Sequence, residues 1–270
     1  MNAPERTLLA DVQSLPDGRD VAIERVGIHR LRHPVLVQTR QGPQHTVADV
    51  EMTVLLAPGV KGTHMSRFIE AIQSWTDPVT PAGLARLGRQ MLDRLEARAG
   101  RIEAAFPYFI RKRAPVSGVQ SLLDYQAGIR VALGEDAPPS VSLSLVSPLT
   151  SLCPCSKEIA EYGAHNQRSH VSLHVELRHP AASVDFEALA GIAEQAASCE
   201  VYGLLKRPDE KFVTERAYDN PKFVEDMVRD VAAVLNADKR IDAYVVESEN
   251  FESIHNHSAY ALIERDKTKV

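Results

Sequence analysis

Cysteine is scarce in this chain. There are three in 270 residues, Cys153, Cys155 and Cys199, and an odd, small number excludes a disulfide framework. Cys153 and Cys155 flank a single proline that stiffens the loop against an unstrained bridge. Positive charge is not in excess either: the formal net charge is −5, which argues against generic nucleic-acid binding, so any polyanion must be met by a local basic cluster. No uninterrupted apolar run is long enough to span a bilayer, and no charged-then-apolar leader follows Met1. Together these predict a soluble, cytoplasmic protein with no membrane partner. What is present is apolar material for a sizeable core, 44% of the residues, in one large domain or two small ones.

Residues 1–25 show no sustained periodicity and carry Pro4, Pro16, Asp17 and Gly18, which reads as an N-terminal arm. Two similar halves follow, 26–137 and 138–270. In the first, strand-like runs at Pro34–Thr39 and His45–Leu56 flank a Gln41-Gly42-Pro43 turn. Val50, Met52, Val54 and Leu56 alternate with Asp49, Glu51 and Thr53. Helices are expected at Met65–Trp75 and Pro81–Ala99, the second with Leu84, Leu87, Met91 and Leu95 on one face. Strands at Arg101–Lys112 and Val119–Leu133 close this half, and Pro107 makes the former irregular or an edge.

The second half repeats the order. Val141, Leu143 and Leu145 alternate with serines, and Val171, Leu173, Val175 and Leu177 with Ser172, His174 and Glu176. Helices are expected at Asp185–Glu200 and Pro221–Asn236, with Cys199 a buried helical thiol, then strands at Arg240–Glu247 and His257–Glu264. The pattern is α+β, with antiparallel sheets carrying paired helices on one face. Open sheet edges in such a pattern favour a ring-like homo-oligomer. The stretch 147–167 reads as a long, functional loop.

Four constellations carry chemistry. Cys153 and His165 supply a thiolate and an imidazole, a zinc-type pair that needs one or two more ligands from His255, His257, Glu210 or Glu252. The same pair also reads as a reactive thiol with a base, or as two ordinary loop residues. His255 and His257 share one face of an extended segment, or are plain exposed loop histidines. Glu225 lies near a helix start; the dipole there favours a carboxylate, and a carboxylate can also accept the paired N1–H and N2–H donors of guanine. Lys61-Gly62-Thr63-His64-Met65-Ser66-Arg67 enters a helix with cations at both ends, which suits phosphate but lacks P-loop spacing. Lys157, Arg168 and Ser169 can add to such a site across a subunit boundary, whereas Arg111-Lys112-Arg113 reads as a solvated edge.

Taken in order, KGTHMSR at 61–67, CPCSK at 153–157, AHNQRS at 164–169, KRPDEK at 206–211, NPKFVED at 220–226 and HNH at 255–257 resemble the type IB GTP cyclohydrolase I family over nearly the whole chain beyond the arm. The resemblance implies a duplicated tunnelling fold, a homotetramer with active sites at subunit interfaces, and hydrolysis of GTP to 7,8-dihydroneopterin triphosphate and formate, toward tetrahydrofolate-type pterins. It implies a divalent metal, Mn²⁺, Zn²⁺ or Fe²⁺, with zinc not strictly required. Position by position it makes Cys153, His165 and Glu210 metal ligands, Glu225 the guanine anchor, and Glu252, His255 and His257 proton-transfer groups. The choice of Cys153 over Cys155 stays open at this point. The phosphate role of Lys61, Arg67, Lys157 and Arg168 rests on charge alone.

Three other readings compete. An archaeal-type cyclohydrolase would release a cyclic phosphate and use ferrous iron. A nitrile reductase on the same fold would use the cysteine as nucleophile and bind NADPH, and no matching motif set is present. A non-catalytic metal- or pterin-binding module would bind without releasing formate.

Overall fold

Period-two alternation builds the sheet. In β5 (Ser140–Leu152), Val141, Leu143, Leu145 and Leu149 are buried between more exposed neighbours. In β6 (Asn166–Leu177) every odd residue from Gln167 to Leu177 is buried. One face therefore takes the apolar side chains and must be covered. The computed structural model describes residues 11–13, 15–135 and 137–269. Its other strands are β1 (Ile23–Thr39), β2 (Gly42–Leu56), β3 (Gly100–Arg113), β4 (Gln120–Leu133), β7 (Cys199–Glu200), β8 (Ile241–Asn250) and β9 (Ala259–Asp266). The helices are α1 (Met65–Gln73), α2 (Pro81–Leu95), α3 (Pro154–Ile159), α4 (Phe186–Ala196), α5 (Arg207–Asp219) and α6 (Val224–Ala237).

All nine strands join one antiparallel sheet in the order β1-β2-β3-β4-β5-β6-β8-β9, with β7 against β5. The first half runs β-β-α-α-β-β, whereas the expected repeat of that order is interrupted in the second half by α3 between β5 and β6 and by β7 and α5 between α4 and α6; β4–β5 pairing joins all the strands into one sheet. Helices α1 and α2 cover the first four strands, and α4 and α6 cover the last four. Phe186 of α4 packs on Phe106 and Tyr108 of β3, with ring centroids 5.9 and 5.0 Å apart, so one core crosses the junction.

Several sequence expectations change, each for a physical reason. The arm expected over 1–25 falls in part on residues 1–10 and 14, which lie outside the described residues, and β1 already begins at Ile23. Its early part escaped notice because the register shifts twice, between Ile23 and Val26 and between Ile28 and Leu31, with Arg30 left-handed at φ 58°. The expected loop 147–167 shrinks to residues 153–165, because β5 runs to Leu152 and β6 starts at Asn166; polar Ser147, Ser151 and Gln167 on the core face had disguised both ends. Helix α4 stops at Ala196, so Cys199 is buried on strand β7 rather than in a helix. Helix α6 begins at Val224, not Pro221, where Asp226 Oδ2 accepts the Phe223 N–H at 3.0 Å.

Helix α5 was not foreseen. It buries only Asp209 and Ala217, so it has no apolar stripe to read. Asp209 anchors it by accepting the N–H groups of Val116, Ser117 and Lys206 and the Ser117 hydroxyl, all within 2.6–2.8 Å. Burial pushes this carboxyl up, but those hydrogen bonds outweigh it and hold the group well below the usual carboxylate range.

The solvated edge expected over Arg111–Arg113 holds for its two arginines, which are exposed beyond the end of the β2–β3 ladder, but not for Lys112, which makes a 2.6 Å ion pair with Glu194 of α4, both side chains only 12% exposed. Pro107 does interrupt the sheet as expected. The β2–β3 ladder stops at Asp49–Ala105. Beyond it, the Gln44 side chain donates to Phe109 O at 3.2 Å and accepts from Phe109 N at 3.0 Å, replacing the missing backbone partner.

Candidate active site

Cys153 and His165 are the first residues beyond the last β5–β6 ladder pair, Leu152–Asn166. Antiparallel pairing therefore delivers both to the same end of the sheet, although twelve positions separate them. The connection closes on itself. Cys153 N–H donates to His165 O at 3.1 Å, His165 N–H to Ser156 Oγ at 3.2 Å, and Cys153 Sγ accepts Ser156 N–H at 3.5 Å as the cap of α3.

A buried relay orients the imidazole. Gln167 donates through Nε2 to Ser151 Oγ at 2.9 Å, and Ser169 Oγ donates to the same oxygen at 2.8 Å. Gln167 therefore turns Oε1 toward His165 Nδ1, 2.9 Å away, and His165 donates from Nδ1. That tautomer leaves Nε2 as the acceptor, the form in which histidine binds metal. Ser253 Oγ lies 3.5 Å and Glu252 Oε2 4.0 Å from the same Nδ1.

Glu225 is brought over this pair by backbone ties. Lys222 N–H donates to Leu152 O at 3.0 Å, fixing the entry to α6 against the end of β5. Asn220 Nδ2 donates to Ala197 O at 2.9 Å, and Leu152 N–H to Ser198 Oγ at 3.0 Å. Glu225 stands exposed in the first turn of α6. The β8–β9 connection supplies His255 and His257, exposed, with rings stacked at 5.1 Å and 14°. Phe251 pins the start of that connection by edge-on contact with His170 at 4.9 Å.

These groups surround one cavity of about 310 Å³, lined by Cys153, His165, Glu225, Glu252, His255 and His257. Gln167, Lys222, Phe223 and Asn250 also line it; the first three fall within motifs read from the sequence, but none of the four is given a site role there. Cys155 is exposed and absent from the wall, so the geometry separates the two cysteines. A larger cavity of about 480 Å³, bordered by Glu103, Arg130, His174 and Glu176, contains none of the candidate residues. The candidate residues line the smaller one.

The remaining candidates lie elsewhere in a single chain. Glu210 is exposed in the first turn of α5 and does not line the cavity. Among the described residues no three His, Cys, Asp or Glu side chains are gathered as a metal cluster. Lys61 is exposed, and Arg67 borders a separate cavity, donating to Arg94 O at 3.0 Å. Lys157 sits over the Tyr218 ring, 4.3 Å from its centroid, and donates to Tyr218 O. Arg168 is exposed on the face of β6 opposite Gln167.

Known proteins resemble this chain along nearly its whole length. The family model described as Type I GTP cyclohydrolase folE2 matches residues 9–261. A relative from Nitrosomonas eutropha named GTP cyclohydrolase FolE2 is 57% identical over 262 residues, covering 97% of each chain. One from Dechloromonas aromatica named GTP cyclohydrolase FolE2 1 is 58% identical over 262 residues, again covering 97% of each. Among solved structures, a highly active BTUO mutant matches with a TM-score of 0.50 at 10% identity, covering 90% of this chain and 100% of that one. Uricase from Arthrobacter globiformis matches with a TM-score of 0.49 at 12% identity, covering 90% and 92%. Such low identities bear on fold alone, and the fold is the tunnelling fold that the family resemblance implies. With a family match over residues 9–261 and relatives above half identity at full length, the chain belongs to the type I GTP cyclohydrolase FolE2 family.

Proposed function

We propose that this protein hydrolyses GTP to 7,8-dihydroneopterin triphosphate and formate, in the type IB manner that does not strictly require zinc. The observation that carries this reading is the meeting of Cys153, His165, Glu225, Glu252, His255 and His257 around one cavity from four separate stretches of chain. Its volume, about 310 Å³, suits a purine ring.

Cys153 Sγ and His165 Nε2 form a donor pair that fits a borderline-soft divalent metal such as Mn²⁺, Zn²⁺ or Fe²⁺. Glu210 is the proposed third ligand. When bound, such a metal lowers the pKa of a water to about 7 and supplies hydroxide for attack at C8. The chain's own residues do the rest. Glu225 accepts N1–H and the exocyclic N–H of guanine side by side, a pair adenine cannot offer. Gln167 holds His165 in the Nδ1–H tautomer. Glu252, His255 and His257 move protons, first to N7 and later during formamide hydrolysis, ribose opening and ring closure.

Lys61, Arg67, Lys157 and Arg168 are the proposed triphosphate ligands. None of the four lines the candidate cavity and Arg67 borders another one, so on this reading a second copy brings them to the triphosphate. This supports a homotetramer with active sites at subunit interfaces, in which β1 and β9 provide open edges for pairing. The halves 26–137 and 138–270 then act as one bimodular catalytic unit. Among the described residues no helix is long and apolar enough to cross a membrane, and the proposed place of action is the cytoplasm.

The guanine anchor is directly testable. Glu225→Gln should raise the GTP Kd by about 100-fold, the loss of a charged bidentate acceptor worth ~3 kcal/mol. Thermal unfolding should hold, because the Glu225 side chain is exposed. Isothermal titration of GTP into both proteins checks this, and equal affinities in a folded variant would remove the assignment.

A further inference from the structure

Asn250, at the end of β8, is 3% exposed, and its Oδ1 has no hydrogen-bond partner. Five buried side-chain polar atoms among the described residues share that condition: those of Thr53, Trp75, Arg101, Ser147 and Asn250. Of these five residues only Asn250 lines the candidate cavity. A buried amide oxygen left unpaired is costly, and its persistence at a site points to a donor that arrives with a ligand.

The position of Asn250 says which donor. It pairs directly with Ser169 across the β6–β8 ladder. Ser169 hydrogen-bonds Ser151, which is also the partner of Gln167, the residue that orients His165. Asn250 thus stands on the Cys153–His165 side of the cavity. With Glu225 holding the N1 and N2 edge of guanine, the opposite C8 edge of the ring turns toward this wall. That edge of GTP offers N7, an acceptor, and a carbon-bound hydrogen, so it cannot satisfy Oδ1. Addition of water across the C8–N7 double bond changes this. One C–O bond forms, hydroxyl goes to C8 and hydrogen to N7, and both new groups are donors.

We infer that Asn250 is a substrate-contacting residue of this site, whose Oδ1 accepts a hydrogen bond from the C8-hydrated purine and not from GTP itself. The inference rests on the cyclohydrolase reading above. An interaction made only after hydration stabilises the barrier without tightening substrate binding, so its loss appears in kcat and leaves KM alone.

The test compares wild-type protein, Asn250→Leu and Asn250→Asp in metal-loaded form, reading formate release, KM for GTP and thermal unfolding. Asn250→Leu removes the unpaired oxygen at similar volume. It should unfold within about 2 °C of wild type or above it, with kcat lower by about 100-fold and KM within about threefold. Asn250→Asp keeps an oxygen in place and should retain at least about tenfold more turnover than Asn250→Leu. A Leu variant with wild-type kcat overturns the inference, as does a raised KM at constant kcat. A drop in unfolding temperature beyond about 5 °C also overturns it, by showing an internal partner for the oxygen. Formate from the wild type with an indifferent Leu variant defeats this inference alone, whereas no formate from the wild type defeats the cyclohydrolase reading with it.

Discussion

Cys153→Ala should lower formate release from GTP by about 10³-fold or more, while Cys155→Ala stays within about threefold of wild type. A metal-supplied hydroxide is worth several kcal/mol of barrier, and each 1.36 kcal/mol is about a factor of ten. Cys153 lines the cavity beside His165; Cys155 is exposed and does not. Folding should survive both changes. Among the described residues the hydrogen bond lost from the Cys153 side chain is the 3.5 Å sulfur cap of α3, worth less than about 1 kcal/mol. Steady-state formate release, with bound metal measured on the same samples, decides the matter. An active Cys153→Ala beside an inactive Cys155→Ala would reverse the assignment.

Lys112→Met should be the most destabilising single change away from the cavity. Lys112 Nζ lies 2.6 Å from Glu194 Oε2 and 5.5 Å from the Tyr202 ring centroid. Burial, then the Glu194 charge, push the Tyr125 phenol far above its ordinary range, so it stays protonated and donates to Glu194 Oε1. Removing the lysine leaves a carboxylate that is nearly out of water without its counter-charge, a loss of about 3–5 kcal/mol. For a chain of this size that lowers the unfolding temperature by roughly 6–20 °C. Because Lys112 is on β3 and Glu194 on α4, the pair also ties the two repeats together. The double change Lys112→Met, Glu194→Gln should recover most of the loss, since it strands no charge and leaves the Tyr125 hydroxyl an acceptor. Calorimetry on the three proteins tests both statements, and a single variant melting within about 2 °C of wild type would show the pair to be dispensable.

The parts of the fold legible in the sequence are those where one physical signal dominated. The alternation in 141–145 and 171–177 exposed the core face of β5 and β6, and the leucine stripe of α2 exposed its buried side. Helix α5 was hidden because Asp209, a buried carboxylate with four donors, does the anchoring that apolar residues usually do.

The candidate site was legible through its unusual residue types. Cysteine beside histidine, paired histidines and a carboxylate at a helix start are uncommon enough to notice. The amides Gln167 and Asn250 were missed because a lone amide in a strand carries no such signal. A readable sign nonetheless existed. Ser147 and Ser151 in β5, Gln167 and Ser169 in β6, and Ser248 and Asn250 in β8 all fall on the buried face, which is otherwise apolar. Polar residues that take the inward phase of three neighbouring strands at one end mark where a sheet stops making core and starts making a site. Glu210 and the four cations show the opposite limit. Their proposed roles come from motif resemblance and charge, and one chain does not gather them around the cavity.

Turnover of GTP by metal-stripped protein resupplied separately with Mn²⁺, Zn²⁺ and Fe²⁺, with formate and product mass followed together, is the most direct test of a metal-dependent cyclohydrolase. The expected result is no formate from the stripped protein, restoration by at least one metal, and a product with the mass of 7,8-dihydroneopterin triphosphate. A cyclic phosphate product would contradict the assigned outcome of the reaction. Folded protein that binds GTP yet releases no formate with any metal would contradict the catalytic reading altogether.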